Sequence, residues 1–311
     1  RDPNIKKTGP GWPTKDGEIV GIAVATDGFK GYFPIAHERG DNLDPAMTMK
    51  WFQKVMSSDA DKICHNASYD IGWCRASGIK TNGKIIDTML AGAIIDENRR
   101  GYSLNALSAE YLGEIKSEVK LREKAEEWGL DAKADLWKLP PSFVGEYAEQ
   151  DAELTLKLWR KFETEIRLQN LSSIFEMETK LLPILIEMRE HGIRMDMNKA
   201  EVMKKTFVTE EKKKLHEIKG LTGVDVELWA ATSVAKAFDA MKVPYDRTEK
   251  TKAPSFTTNW LHNCTHPLAK LVREAREMNK FHSTFIDSIF KFEHKGRIHA
   301  QINQLRSDNG G

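Results

Sequence analysis

The strongest constraint on the fold is a change in hydrophobic periodicity along the chain. Up to about residue 168, short apolar runs rich in β-formers alternate with stretches of helical spacing. From Glu176 onward the pattern is that of long charged helices, which we predict at 176–191, 197–219 and 266–291. A chain of 311 residues has room for about two domains. The sequence therefore predicts an α/β domain followed by a mainly helical region.

The first region should contain a hairpin and then alternating helices and strands. The runs 18–26 and 30–36 flank Asp27-Gly28-Phe29 and predict the hairpin. The further elements that we expect are a helix at 45–58, a strand at 62–65, a helix at 67–77, a strand at 84–86, a helix capped by Asp87 and a helix that begins after Ser103. Much later, the alternation of residues 296–304 predicts another strand.

Composition narrows the class of protein. No apolar run approaches the roughly 20 residues of a membrane helix, and the first residues lack the apolar core of a secretory signal, so we expect a cytoplasmic protein. Residues 180–311 hold 23 Lys+Arg against 17 Asp+Glu, whereas residues 1–179 hold 24 against 29. A basic half suits a phosphate backbone and an acidic half suits divalent cations, but solvated helix faces explain the same charges equally well. The three cysteines have no metal-ligand spacing, which indicates free thiols.

Asn66 and Asp70 form the first candidate cluster, in the run ICHNASYD directly after a predicted strand. On a helix their spacing of four residues puts the amide and the carboxylate on one face, near the strand end where α/β sites gather. The pair could hold a metal. Asn and Asp near a helix start are more commonly caps, and the motif alone favours that alternative.

Tyr147 and Asp151 form the second cluster, again four residues apart, in the strongly helical run EYAEQDAELTLKLW. A phenol one turn from a carboxylate can orient a water molecule that a metal on the carboxylate activates. The alternative is that Asp151 and the neighbouring glutamates, among them Glu149 and Glu153, only decorate a solvated helix N-terminus.

Together and in this order, the two clusters resemble the second and third motifs of the DEDD exonucleases, in the subclass with tyrosine in the third motif. The runs IIDTMLAGAI and GYSLNALSAEYLG between them are similar to the matching segments of proofreading domains in family-A, polymerase I-like DNA polymerases. The resemblance implies a ribonuclease H-like α/β domain with a mixed sheet flanked by helices. It also implies that Asn66, Asp70, Tyr147 and Asp151 are catalytic, that Asp70 and Asp151 bind metal, and that Asp87 is structural.

The C-terminal half resembles the thumb region of the same polymerases. The run LLPILIEMREHGIRMD at 181–196 is similar to the family's segment between exonuclease domain and thumb, and 268–285 is similar to its thumb helix, with Phe285 in place of the family's tyrosine. The DNA-binding residues implied are Arg276, Lys280, Thr284, Asn303 and Gln304. The alternative for the thumb helix is a solvated surface in which Glu274 and Glu277 offset the basic residues.

The resemblance implies an exonuclease domain at 1–170, a thumb region at 171–295 and the start of a palm at 296–311. The implied cofactors are two divalent cations, Mg²⁺ or Mn²⁺, which we expect this segment to bind weakly or not at all. The implied partners of this monomer are a single-stranded DNA 3′ end and a primer-template duplex. The family's first exonuclease motif, Asp-x-Glu on the first strand of the domain, would lie before Arg1, and the palm motifs would lie after residue 311, so we expect a polymerase segment that hydrolyses little by itself. The alternatives are a stand-alone exonuclease of RNase D type and a catalytically dead nucleic-acid-binding module.

Overall fold

The chain divides into two compact units. A computed structural model describes residues 1–115, 119–132 and 134–305. The first unit comprises residues 1–192 together with the described residues from 299 onward, and the second comprises 193–298. The first stretch of this unit extends to Gly192, because Leu182 and Ile186 belong to the unit's hydrophobic core.

The first unit combines helices with two short two-stranded ladders. Its helices are α1 (Ile5–Thr8), α2 (Pro45–Met56), α3 (Ala67–Ala76), α4 (Thr88–Ile95), α5 (Leu104–Leu112), α6 (Val119–Glu127), α7 (Pro141–Leu168) and α8 (Ser172–His191). Its strands are β1 (Gly21–Thr26), β2 (Phe29–Pro34), β3 (Lys62–Cys64) and β4 (Ile85–Asp87). β1 and β2 pair antiparallel, and β3 and β4 pair parallel. The mixed α/β class is thus confirmed.

The predicted hairpin and the helix α7 pack against each other. Apolar side chains at helical spacing, including Leu154, Leu158 and Phe162, are buried along α7. Two acidic side chains of α7 also reach the hairpin: Glu149 Oε1 accepts a hydrogen bond from the Tyr32 backbone N–H at 3.0 Å, and Glu153 pairs with Lys30 at 2.6 Å. These two glutamates therefore fix the helix on the hairpin, and the alternative in which they only decorate a solvated helix end is wrong for them.

The second unit is mainly helical, as predicted. Its helices are α9 (Met197–Thr222), α10 (Ala231–Ala240), α11 (Thr258–Asn263), α12 (Pro267–Lys280) and α13 (Asp287–Phe292), and its two-residue strands are β5 (Ile193–Arg194), β6 (Asp246–Arg247), β7 (Pro254–Ser255), β8 (Glu293–His294) and β9 (Arg297–Ile298). Its core joins Ile218 of α9 to Val272 of α12 and to Phe238 of α10, with Phe256 stacked on Phe238. The core forms because each helix presents one apolar face.

Two predictions for the C-terminal half need correction. The strand predicted at 296–304 covers only Arg297–Ile298, because pairing with Ile193–Arg194 ends there. The helix predicted at 266–291 is interrupted by a π-helical turn at Phe281–Ile286, a deviation that sequence periodicity does not reveal. Within the described ranges, no helix has the length and hydropathy needed to cross a membrane.

Candidate active site

The candidate site forms where the parallel strands β3 and β4 end side by side. Cys64 and Asp87 are register partners at the carboxyl ends of these strands. The chain then enters α3 from β3 and α4 from β4, so both helices begin at the same edge. Such an edge is where open α/β sheets collect functional side chains.

Asp87 caps both helices at once. Its carboxylate accepts hydrogen bonds from the backbone N–H groups of Asn66 at 3.0 Å, Ala67 at 2.8 Å and Met89 at 2.9 Å, and its residue is 5% exposed. The predicted cap of α4 is therefore present, together with a cap of α3 that the sequence did not reveal. One buried carboxylate, that of Asp87, thus stabilises the N-termini of both α3 and α4.

Asn66 occupies the N-cap position of α3 in a left-handed backbone conformation, with φ 65° and ψ 55°. Its side chain makes no capping hydrogen bond, so the capping alternative for this amide is wrong. A non-glycine residue with positive φ is uncommon, and asparagine tolerates it best among ordinary residues. The carboxamide is left at the exposed edge of the site, one helical turn before Asp70.

Asp70 lies among other acidic groups. Solvent reaches the residue, but desolvation of the carboxyl by the surrounding protein, followed by the charges of Asp87 and Asp151, raises its pKa to about 7. Burial, followed by the charge of Asp70, raises the pKa of the adjacent Cys74 thiol to about 12, so this thiol stays protonated at neutral pH. The fold thus places Asp70 and Asp151 close enough for the charge of Asp151 to act on Asp70, although 81 positions separate them in sequence.

Tyr147 and Asp151 are on α7, four residues apart as predicted. Both are half-buried, and the Tyr147 ring packs on the small apolar cluster of Leu121, Leu139 and Val144. Residues four apart project from the same face of a helix, so the phenol and the carboxylate are directed to one side of α7.

The donor set at this edge suits a hard divalent cation but is incomplete. Carboxylate oxygens are the preferred ligands of Mg²⁺ and Mn²⁺. A bound cation would offset the repulsion between Asp70 and the neighbouring acidic charges that contributes to the raised pKa of Asp70. No group of three or more His, Cys, Asp or Glu in the described parts of the chain is arranged to hold a metal ion. Asp70 and Asp151 therefore fit as part of a metal site.

The predicted DNA-binding residues of the second unit have unequal surroundings. Arg276 is half-buried, and its guanidinium donates to the carbonyl oxygens of Leu228 at 2.8 Å and Phe256 at 2.7 Å. Lys280 and Thr284 are exposed. DNA contact by all three stays a prediction, but two Arg276 donors are already used inside the unit.

Asn303 and Gln304 lie in the described end of the first unit rather than in a strand. Gln304 Nε2 donates to the carbonyl and the carboxylate of Glu178 at 2.9 and 2.7 Å. Asn303 Oδ1 accepts from the Leu305 backbone N–H at 3.0 Å. Their proximity to a primer-template stays a prediction.

Sequence analysis missed Arg189. It is 5% exposed on the buried face of α8 and lines a cavity at the same strand edge. The sequence contains an indication of this buried charge. Arg189 follows Leu182 and Ile186 at helical spacing, which places a charged residue on the apolar face of the helix.

Comparison with known proteins identifies the family. A family model described as 3′-5′ exonuclease, that of DNA polymerase A, matches residues 12–167, about half of the chain. The chain belongs to this family. The match contains Asn66, Asp70, Tyr147 and Asp151, and the family assignment agrees with the resemblance to family-A polymerases stated from the motifs.

Relatives of this exonuclease family match nearly the whole chain. A DNA-directed DNA polymerase of Pseudomonas phage M6 is 33% identical over 98% of the chain and 47% of its own length. DNA polymerase DpoZ of Acinetobacter phage SH-Ab 15497 is 28% identical over 99% of the chain and 51% of its own length. The POL domain of Pol1 from M. smegmatis, solved with DNA primer-template and dNTP, has the same fold, with a TM-score of 0.74 at 19% identity over 94% of this chain and 47% of that chain. The chain thus spans about half the length of these relatives.

Proposed function

We propose that the chain supplies the 3′→5′ proofreading exonuclease and the thumb of a DNA polymerase, and that it removes mismatched nucleotides from a DNA 3′ end. The observation that carries the proposal is that Asp70, in the first turn of the helix after β3, and Asp151 of α7 lie within electrostatic range of each other inside the segment that matches the 3′-5′ exonuclease family. The thumb is supported by the phage M6 polymerase, whose similarity extends across 98% of the chain, well beyond the exonuclease match. An exonuclease of RNase D type would not be expected to share that second part.

In this proposal Asp70 and Asp151 hold divalent cations, and Tyr147 orients the attacking water through its hydroxyl. When bound, the cations supply an activated water and stabilise the leaving oxygen. Asn66 positions either Asp70 or the terminal nucleotide. Asp87 positions the starts of α3 and α4 through its three amide contacts and needs no contact with substrate.

The domain limits are part of the proposal. We assign residues 1–170 to the exonuclease domain, 171–295 to the thumb region with its connecting helices, and 296–311 to the start of a palm. The helix α8 then belongs to the thumb side in sequence, although its apolar face completes the first unit's core.

The metal site can be tested by the stability of the chain. A carboxyl with a raised pKa keeps its proton in the folded state at pH values where the unfolded chain has lost it, so its ionisation lowers stability as pH rises from about 4 to 7. Without metal, Asp70→Asn should therefore melt at a higher temperature than the wild type at pH 8, and the difference should vanish near pH 4. Added Mn²⁺ at pH 8 should raise the melting temperature of the wild type but not that of Asp70→Asn.

The matched control for this experiment is Asp41→Asn, an exposed position outside the site, which should follow the wild type with and without Mn²⁺. Calorimetric melting curves give all the values. Equal stabilisation of the wild type and Asp70→Asn by Mn²⁺ would show that the cation binds elsewhere. The catalytically dead binding module corresponds to that outcome.

The thumb assignment predicts a salt effect at Lys280. Since each phosphate contact on B-form DNA contributes a slope near −0.9, Lys280→Ala should flatten the plot of log affinity against log salt by about 0.9. The loss should be nearly equal for two unrelated duplex sequences, because phosphate contacts carry no base information. Fluorescence anisotropy across a salt series measures it.

Lys270→Ala is the control for Lys280, because it removes an exposed lysine from the same helix at a position to which we assign no DNA contact. It should leave the slope unchanged. Arg276→Ala is unsuitable as a probe of phosphate binding, since it would also free the carbonyls of Leu228 and Phe256. An unchanged slope in Lys280→Ala would assign α12 to the solvated-surface alternative.

A further inference from the structure

A cavity of about 470 Å³ adjoins the candidate active site within the first unit. Its walls come from the starts of α3 and α4, from α8 and from residues 301–305. Leucine and isoleucine side chains of α8 form an apolar part, and the carboxamides of Asn66 and Gln301 lie on the lining as well. Polar and apolar residues contribute about equally to the lining, and a pocket of this size has the dimensions of a small-molecule site.

Arg189 is the basic group of this cavity, whose lining also includes the acidic residue Asp87. The donors of the Arg189 guanidinium are largely unused. Its residue is 5% exposed, and Nε is buried without a hydrogen-bond partner among the described residues. The hydrogen bond that its side chain does form is long, from NH2 to the Pro10 carbonyl at 3.4 Å. The guanidinium also lies over the Trp12 ring, 5.1 Å from its centroid. A buried guanidinium has five N–H donors, and leaving them unpaired is unfavourable.

Charge compensation for Arg189 is incomplete within the described residues. No carboxylate there lies within salt-bridge distance of it, and Asp2, which acts on it at longer range, already accepts from the Gly11 backbone N–H at 3.1 and 3.2 Å. Burial lowers the pKa of Arg189, but an arginine remains protonated at neutral pH. The cavity therefore offers the Arg189 donors beside apolar surface, and the Asp87 carboxylate on the same lining is already engaged by three backbone N–H groups.

We propose that this cavity binds a nucleoside 5′-monophosphate, with its phosphate on Arg189. The planar guanidinium matches the geometry of a phosphate and can donate two parallel hydrogen bonds to it. The apolar wall of α8 suits the faces of a base, and the Asn66 and Gln301 carboxamides offer both a donor and an acceptor to a base edge or a sugar hydroxyl. Asp70 and Asp151 do not line this cavity, so the site is separate from the proposed metal ligands.

The test is isothermal titration of the 311-residue chain in EDTA with three probes: deoxyadenosine 5′-monophosphate, deoxyadenosine and inorganic phosphate. We expect the monophosphate to bind at least about tenfold more tightly than either of the others, since both the charge-assisted bonds and the apolar contacts contribute. Equal binding of deoxyadenosine would overturn the role of Arg189. Equal binding of phosphate would overturn the assignment to a nucleotide.

Substitutions on and beside the cavity lining test where the monophosphate binds. Arg189→Lys, which keeps the charge but loses the fork of donors, should weaken binding about tenfold. Leu185→Glu introduces a carboxylate on the cavity wall and should weaken it at least as much, whereas Ile184→Glu, at a neighbouring position on α8 that is 54% exposed and outside the lining, should not. Unchanged affinity in Leu185→Glu would overturn the proposal.

The proposed nucleotide cavity and the proposed exonuclease function can be refuted independently of each other. Because EDTA removes divalent cations, Asp151→Asn should bind the monophosphate like the wild type even if the chain proves to be no nuclease. Loss of binding in Asp151→Asn would place the nucleotide at the metal ligands instead and overturn the separate cavity site.

Discussion

Asp151→Ala and Asp70→Ala should each reduce exonuclease activity by at least about a thousandfold, in a polymerase that carries this segment and an upstream Asp-x-Glu motif. Loss of a metal ligand raises the barrier by several kcal/mol, and each 1.36 kcal/mol is a factor of ten in rate. Tyr147→Phe should retain more activity, about a hundredfold below the wild type, because it removes one hydroxyl and no metal ligand. Release of the 3′-terminal nucleotide from a mismatched primer, with Mg²⁺ or Mn²⁺, is the measurement.

Glu163→Gln is the matched control for these variants, since it neutralises an exposed acidic residue of the same helix α7, away from the site. Its activity should equal that of the wild type. Asp87→Ala should keep residual activity at temperatures where it is folded, because Asp87 is proposed to support the site from beneath. Folded Asp87→Ala that is as inactive as Asp151→Ala would show that the metal ligands are assigned wrongly.

Local signals in the sequence predicted most elements around the site. Helical patterns follow Asp44, Asp87 and Ser103 in the sequence. In the structure, the side chains of Asp87 and Ser103 accept hydrogen bonds from backbone N–H groups at the starts of the helices predicted after them. The i,i+4 spacing of Tyr147 and Asp151 likewise needs only a helix, which propensity and periodicity supply. Interactions within about four residues can be derived in this way because the helix geometry fixes them.

Features that depend on the tertiary fold could not be derived from the sequence. The raised pKa of Asp70 depends on desolvation by the folded chain and on the charges of Asp87 and of Asp151, which is 81 positions later in sequence. The capping of Ala67 by Asp87 requires the parallel pairing of β3 and β4. The hydrogen bonds that Arg276 donates within its own unit also depend on the tertiary fold, because the carbonyl acceptors lie on two remote loops. The strand predicted at 296–304 ended early since its partner strand is only two residues long.

Asp87→Ala should lower the free energy of unfolding of the first unit by about 3–7 kcal/mol. Loss of an ordinary cap costs about 1 kcal/mol, and this carboxylate also leaves the amides of Asn66 and Ala67 unpaired near the core, at about 1–3 kcal/mol for a buried group. The comparison variant is Asp44→Ala, which removes a single exposed cap hydrogen bond, to the Met47 N–H of α2, and should cost about 1 kcal/mol.

Urea denaturation combined with amide hydrogen exchange tests this difference. In Asp87→Ala, exchange should accelerate in α3 and α4 together, because one carboxylate fixes both helix starts, while protection in α9 and α12 of the second unit should remain that of the wild type. In Asp44→Ala, faster exchange should be confined to the first turn of α2. Asp87→Asn separates shape from charge: its amide oxygen can still accept from some of the three N–H groups, so its loss of stability should lie between those of the two alanine variants. If Asp87→Ala destabilised the chain no more than Asp44→Ala does, the double cap would contribute little, and another interaction would have to hold the strand edge on which Asp70 depends.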